Sequence, residues 1–95
     1  MVKVEILQQK GYNFLWINKY LWMWDIPVER LAQKKIAEQA RGNVLVAGYG
    51  LGIVQKFLLK NPKVNSFLTI EIFPEVIQKC KENYKKIYGE FVICD

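Results

Sequence analysis

At 95 residues, the sequence has room for one small domain with a thin core. With 52% hydrophobic and 24% charged residues it falls among globular chains, which excludes global disorder. The net charge of +5 is spread through Lys34, Lys35, Lys56, Lys60, Lys79, Lys81, Lys85 and Lys86 on several predicted helices. Such spreading reads as solvated helix faces, so nucleic acid is not an expected partner.

The first quarter has a strand rhythm. Val2, Val4 and Ile6 alternate with Lys3 and Glu5, the period of a half-buried strand. The same alternation runs through residues 1–10, which argues against a signal peptide. Lys10-Gly11-Tyr12-Asn13 reads as a turn, and Asn18-Lys19 as a tight hairpin between Phe14–Ile17 and Tyr20–Trp24. Residues 1–24 are therefore expected to form a small antiparallel unit. Its aromatics Phe14, Trp16, Trp22 and Trp24 either enlarge the core or face a partner, with Trp24 expected in the core.

Residues 25–95 are expected to form a second unit. Asp25-Ile26-Pro27 opens a helix, with Asp25 expected as its cap and a hold on a substrate amine as the alternative. Val28, Leu31, Ala32, Ile36 and Ala40 share one predicted face, and Arg41-Gly42-Asn43 ends the helix. Val44–Ala47 is all apolar, the mark of a strand buried on both faces of a parallel sheet. After the glycine-rich turn, Ile53, Val54, Phe57 and Leu58 form a helical stripe stopped by Asn61-Pro62. Val64–Ile70 is the next strand, ending at Glu71. Pro74 starts a helix carrying Val76, Ile77, Cys80, Tyr84 and Ile87 on one face, closed by Gly89, and Phe91–Cys94 is a third strand. The fold class is thus α/β: a partial Rossmann-like β-α-β-α-β parallel sheet, preceded by a small antiparallel β unit and a helix. Cys80 and Cys94 have no metal-ligand spacing and there is no histidine, so no metal centre is expected. Both thiols read as buried and reduced, which with the absence of a ~20-residue apolar run makes the cytoplasm the expected location.

The chemistry concentrates in Gly48-Tyr49-Gly50-Leu51-Gly52. Glycines between a buried strand and a helix permit positive φ and bring backbone close to a ligand, while the helix start favours an anionic group. About 20 residues further on, Glu71 ends the second strand, where a carboxylate can accept from ribose hydroxyls. Its alternative role is to stabilise the dipole of the helix beginning near Pro74.

Residues 43–52 (Asn-Val-Leu-Val-Ala-Gly-Tyr-Gly-Leu-Gly) and 68–77 (Leu-Thr-Ile-Glu-Ile-Phe-Pro-Glu-Val-Ile) resemble motifs I and II of class I S-adenosylmethionine-dependent methyltransferases. Within that superfamily the resemblance is closest to the spermidine-synthase-like branch, whose second strand often ends in Glu-Ile-x-Pro-Glu-Val. It runs from Val44 to Asp95, about half the chain, and matches only the first half of the Rossmann-like domain. The resemblance implies a ligand: S-adenosylmethionine or a related S-adenosyl nucleoside. Gly48, Tyr49, Gly50 and Gly52 would border its methionine part, Glu71 with Ile72 beside it would hold the ribose, and Asp95 would meet the adenine amine.

Two positions depart from the family pattern. Val46 stands where many methyltransferases carry an acid, and Leu51 where spermidine synthases place an amine-binding aspartate. The family's catalytic residues follow a fourth strand, beyond Asp95, so no catalytic residue is assigned. The expectation is the donor-binding portion of a methyl- or aminopropyl-transferase, incomplete for catalysis alone. Two alternatives remain. One is a non-catalytic nucleotide-binding or assembly module that forms homo-oligomers through its open sheet edge. The other is an NAD-binding Rossmann domain, whose G-x-G-x-x-G fingerprint would need glycine at Ile53.

Overall fold

The computed structural model describes residues 2–94. Strand-favouring apolar and aromatic residues close the first quarter into an antiparallel sheet of β1 (Val4–Gln9), β2 (Tyr12–Ile17) and β3 (Tyr20–Trp24), in that order. Both hairpins turn on two residues with positive φ, Lys10 and Gly11 at 54° and 83°, Asn18 and Lys19 at 50° and 70°. This conformation matches the right-handed twist of the strands it joins. Tyr12 and Asn13, expected in the first turn, instead pair with Gln9 and Gln8. Val4 lies opposite Ile17, and Leu15 and Ile17 are two residues apart on β2, so all three point to one face and are buried. Trp24, expected in the core, is instead 39% exposed, edge-on to Phe14 at 6.1 Å, because it sits on the outer strand of the sheet.

Helix α1 (Pro27–Gln39) follows. Asp25 does not cap it; Ile26 is the N-cap and provides no side-chain bond. The apolar face read from the sequence also points the wrong way. Val28, Leu31 and Ile36 are exposed, whereas Glu29, Gln33, Ala37 and Ala40 turn inward. Polar contacts decide the rotation. Gln33 Oε1 accepts from the Val54 N–H at 3.1 Å, and Asn61 Nδ2 donates to the Ala37 and Ala40 carbonyls at 2.8 and 2.9 Å. Those bonds satisfy groups at helix ends that would otherwise be orphaned, and small Ala37 permits close approach.

The second sheet is parallel, in the order β4 (Gly42–Ala47), β5 (Val64–Glu71), β6 (Glu90–Ile93), with α2 (Ile53–Leu58) and α3 (Pro74–Tyr84) as crossovers. The α/β class read from the sequence is the class observed. In α3, Val76, Ile77 and Cys80 are buried against Val4, Leu15, Ile17, Tyr49 and Ile53, so one core joins the two sheets. Three details differ. β4 is not buried on both faces: Leu45 is 66% exposed, since β4 is an edge strand with one covered face. α3 ends at Tyr84 with Lys85 in the left-handed conformation, four residues before the expected Gly89. Cys94 is exposed rather than buried, lying just past the last strand. Among the described residues no helix is long and apolar enough to cross a membrane.

Candidate nucleotide site

β4 ends at Ala47, and the chain then turns through Gly48–Gly52 into α2. The Gly48 N–H still bonds to the Ile70 carbonyl at 2.7 Å, so the turn springs directly from the sheet. Gly50 and Gly52 have φ of 58° and 75°. A Cβ on Gly50 would stand 2.6 Å from Sδ and Cε of Met23, and one on Gly52 would stand 2.5 Å from the Tyr49 hydroxyl. The room these glycines leave is therefore filled by the chain's own side chains. A Cβ on Gly48 would meet nothing within 4 Å, so that face of the turn is open.

The amides of the turn are largely claimed from within. Tyr49 N–H donates to Glu71 Oε1 at 2.7 Å, Leu51 N–H to Met23 Sδ at 3.4 Å, and Gly52 N–H to the Tyr49 carbonyl at 2.9 Å. With Gln33 on Val54, this leaves a braced turn rather than the open row of donors expected at the helix start. Below it, Gln55 is fully buried. Its Nε2 reaches the Gly48 carbonyl at 3.2 Å and Thr69 Oγ1 at 3.1 Å, tying α2 and β5 to the turn. Charge-free polar groups paired this way fix geometry that apolar packing alone would leave loose.

Glu71 is buried at the tip of β5, and its second oxygen, Oε2, accepts from the Phe73 N–H at 3.1 Å. Each carboxylate oxygen keeps a further lone pair, so the group can still accept from a ligand. Glu71 and Ile72 share a cleft of about 350 Å³ with Gly48, Gly50, Trp22 and Met23. Tyr49 and Gly52, expected in the same site, line a different cleft on the other side of the turn. Asp95 lies outside the described residues. Trp22 and Met23 were not among the expected site residues, although the resemblance to spermidine-synthase-like proteins implies that residues 22–25 help cover the ligand. Their signal was faint: β3 runs Tyr-Leu-Trp-Met-Trp, with no polar alternation to mark which residues face the cleft. Asp25 is not in this cleft: it lines the one on the other side of the turn, where its Oδ1 and Oδ2 accept from Asn13 N–H and Nδ2 at 2.6 and 2.8 Å.

Cys80 lies under the turn, its Sγ 3.3 Å from the Gly50 carbonyl. Burial, and then the Glu71 carboxylate, push its thiol up from 9.0 to about 12. Burial likewise raises the Tyr49 hydroxyl to about 12, against the lowering effect of the Tyr88 N–H that donates to it. As pH rises above 9 the unfolded chain loses these protons first, so the folded state binds more protons and stability falls. Full stability is expected below pH 9, with a progressive loss through about 12. Cys80→Ala should flatten that decline in urea titrations run at successive pH values. An unchanged slope would mean that the thiol ionises freely in the folded protein.

Over its whole length the chain is similar to a spermidine synthase from Thermotoga maritima, with a TM-score of 0.75 and 16% identity, covering 100% of this chain and 38% of that one. A spermidine synthase in complex with the transition-state analogue AdoDATO gives 0.74 and 16%, over 98% and 36% of the two chains. The fold is spermidine-synthase-like. At this identity the likeness concerns the fold, and the chain spans less than two fifths of either synthase. An S-adenosylmethionine-dependent methyltransferase from Clostridium acetobutylicum is more distant, at 0.48 and 13% over 75% and 31%. No protein-family model and no curated protein matches the sequence. Within the spermidine-synthase-like fold the antiparallel sheet, α1 and the parallel sheet are all present.

Proposed function

We propose that the cleft between the glycine turn and Glu71 binds S-adenosylmethionine or a related S-adenosyl nucleoside, as the donor-binding portion of a methyl- or aminopropyl-transferase. The observation that carries this is the position of Glu71. Its buried carboxylate is held against the turn by the Tyr49 N–H while facing the same cleft as Gly48 and Ile72. A ribose diol can bond to such an acid with both hydroxyls. Ile72, 50% exposed, offers apolar contact to a base beside it. In this reading residues 25–95 form the donor unit and residues 1–24 cover it, with Trp22 and Met23 along the cleft wall.

Transfer also needs an acceptor held in line with the sulfonium carbon and a group to take its proton. The sequence has no histidine, and Asp25 lines the cleft on the other side of the turn. These residues are therefore assigned donor binding with negligible turnover on their own. Calorimetric titration tests the reading: S-adenosylmethionine or S-adenosylhomocysteine should bind, and NAD should not. Binding of NAD with no response to either S-adenosyl compound would replace the proposal with a dinucleotide site.

A second reading, assembly, is favoured by the open edge of β4. Leu45 is 66% and Ile36 65% exposed, and both border one groove along that strand. Unpaired strand edges flanked by apolar surface invite pairing with another chain. Light scattering across a concentration series should show a dimer or larger species, and Leu45→Lys should shift it toward monomer. A monomer at every concentration would end the assembly reading.

A further inference from the structure

The glycine turn has a second face. Gly48 and Gly50 border the Glu71 cleft, whereas Tyr49, Leu51 and Gly52 border another, of about 280 Å³. Three cations from separate parts of the chain line that second cleft: Arg30 from α1, Lys56 from α2 and Lys86 from the segment after α3. Among the described residues the ion pairs are Lys3–Glu5 and Lys79–Glu82, so none of the three is paired with a described carboxylate. Lys56 is half-buried, and Lys86 Nζ stands 5.1 Å over the Tyr88 ring. The one acid in the cleft is Asp25, whose two oxygens already accept from Asn13. Three cations against one carboxylate leave the cleft net positive, with Arg30 and Lys86 exposed at its rim and Lys56 half-buried, and such a surplus attracts an anion.

We infer that this cleft binds a compact phosphate-type dianion, inorganic phosphate or a small phosphate monoester, independently of the Glu71 cleft. Three observations converge on that class of ligand. A residue with a planar guanidinium and two with ammonium groups line the cleft from different elements, the donor types that a tetrahedral oxyanion takes. The Tyr49 and Tyr84 hydroxyls line the same cleft and remain protonated donors, because burial raises both. The volume admits a phosphate with a short organic remainder and excludes a folded polynucleotide. Since Tyr49 and Gly52 belong to the turn itself, an occupant here would brace the wall shared with the Glu71 cleft. The inference does not rest on the S-adenosyl reading and stands if that reading fails.

The test is an amide-resolved NMR titration of the full chain with inorganic phosphate, and separately with glycerol 3-phosphate. Saturable shifts are expected at Gly52, Lys56 and Tyr88, and they should persist in the presence of S-adenosylhomocysteine. Lys56→Gln and Arg30→Gln should each weaken binding about tenfold, the scale of one charge-assisted bond. Lys56→Arg should retain it, and Lys79→Gln, whose charge lies in an exposed ion pair, should leave it unchanged. A higher response to glycerol 3-phosphate than to phosphate would assign the site to a monoester, and the reverse to the free ion. Shifts that never saturate, or equal losses in Lys56→Gln and Lys79→Gln, would overturn the inference. So would a single-stranded oligonucleotide that binds far more tightly through Arg30 and Lys56, since the cleft would then be part of an extended polyanion surface.

Discussion

Gly52→Ala is expected to lower the stability of the fold by about 3–5 kcal/mol, a large fraction of the 5–15 kcal/mol typical of a domain. Gly52 has φ of 75°, where a residue with a Cβ is strained. The added carbon would also stand 2.5 Å from the Tyr49 hydroxyl and 2.7 Å from Cζ of the same ring. That ring cannot simply swing away. Tyr49 is buried, and its hydroxyl accepts from the Tyr88 N–H at 2.9 Å, so displacement breaks this bond and disturbs the core beneath. By contrast, Gly50→Ala meets only the flexible end of Met23 and should cost less. Urea unfolding of Gly52→Ala, Tyr49→Ala and the double variant separates the causes. Removal of the Tyr49 ring should recover the steric part of the loss and leave the backbone strain, giving a coupling of about 1–3 kcal/mol. A midpoint unchanged in Gly52→Ala would show that the ring moves at no cost and is not a fixed wall of the turn.

The elements legible in the sequence are those whose pattern has one physical cause. In the antiparallel sheet β1 follows from alternation, β2 and β3 from runs of strand-favouring residues, and the hairpin at Asn18-Lys19 from its turn chemistry. The β4–turn–α2 unit and Glu71 at the tip of β5 follow from glycine and acid placement on a parallel sheet. Rotation of α1 was not legible. Counting apolar residues favours Val28, Leu31 and Ile36, but Gln33 and Asn61 bond to helix-end groups that lie far off in sequence. A polar residue at an interface is invisible to a hydrophobic pattern unless its partner is known. The same holds for Gln55, which sits fully buried in α2 with its Nε2 on Thr69 Oγ1 and the Gly48 carbonyl.

The candidate site shows the same division. Gly48, Gly50, Glu71 and Ile72 do gather in one cleft, because strand tips on a parallel sheet lie side by side. Tyr49 and Gly52 do not join them: the Tyr49 ring packs against Gly52 on the other side of the turn, where both line the second cleft. Trp22 and Met23 enter from the other sheet, whose docking depends on the shared core of Val4, Leu15, Val76 and Cys80. Long-range docking of that kind leaves no local trace in the sequence. Asp25 was legible as a structural acid, but its partner is the start of β2 rather than the helix that follows it.

Glu71→Ala is expected to have the largest combined effect on stability and binding. It removes the acceptor for the Tyr49 N–H at 2.7 Å and for the Phe73 N–H at 3.1 Å, and orphans both donors beneath the turn. A buried donor left without a partner costs about 1–3 kcal/mol, so the pair should cost about 2–5 kcal/mol by urea unfolding. Glu71→Gln keeps one acceptor oxygen but turns an NH2 group toward the other N–H, which should cost about half as much and preserve the fold. That variant isolates the ligand contribution. If the carboxylate accepts from both ribose hydroxyls, its replacement should weaken S-adenosylhomocysteine about 10–100-fold by calorimetry, the scale of charge-assisted bonds. The two readouts fail separately. An Ala variant as stable as the parent would mean that the carboxylate does not brace the turn. A Gln variant that binds S-adenosylhomocysteine with undiminished affinity would take Glu71 out of the nucleoside site while leaving its structural role intact.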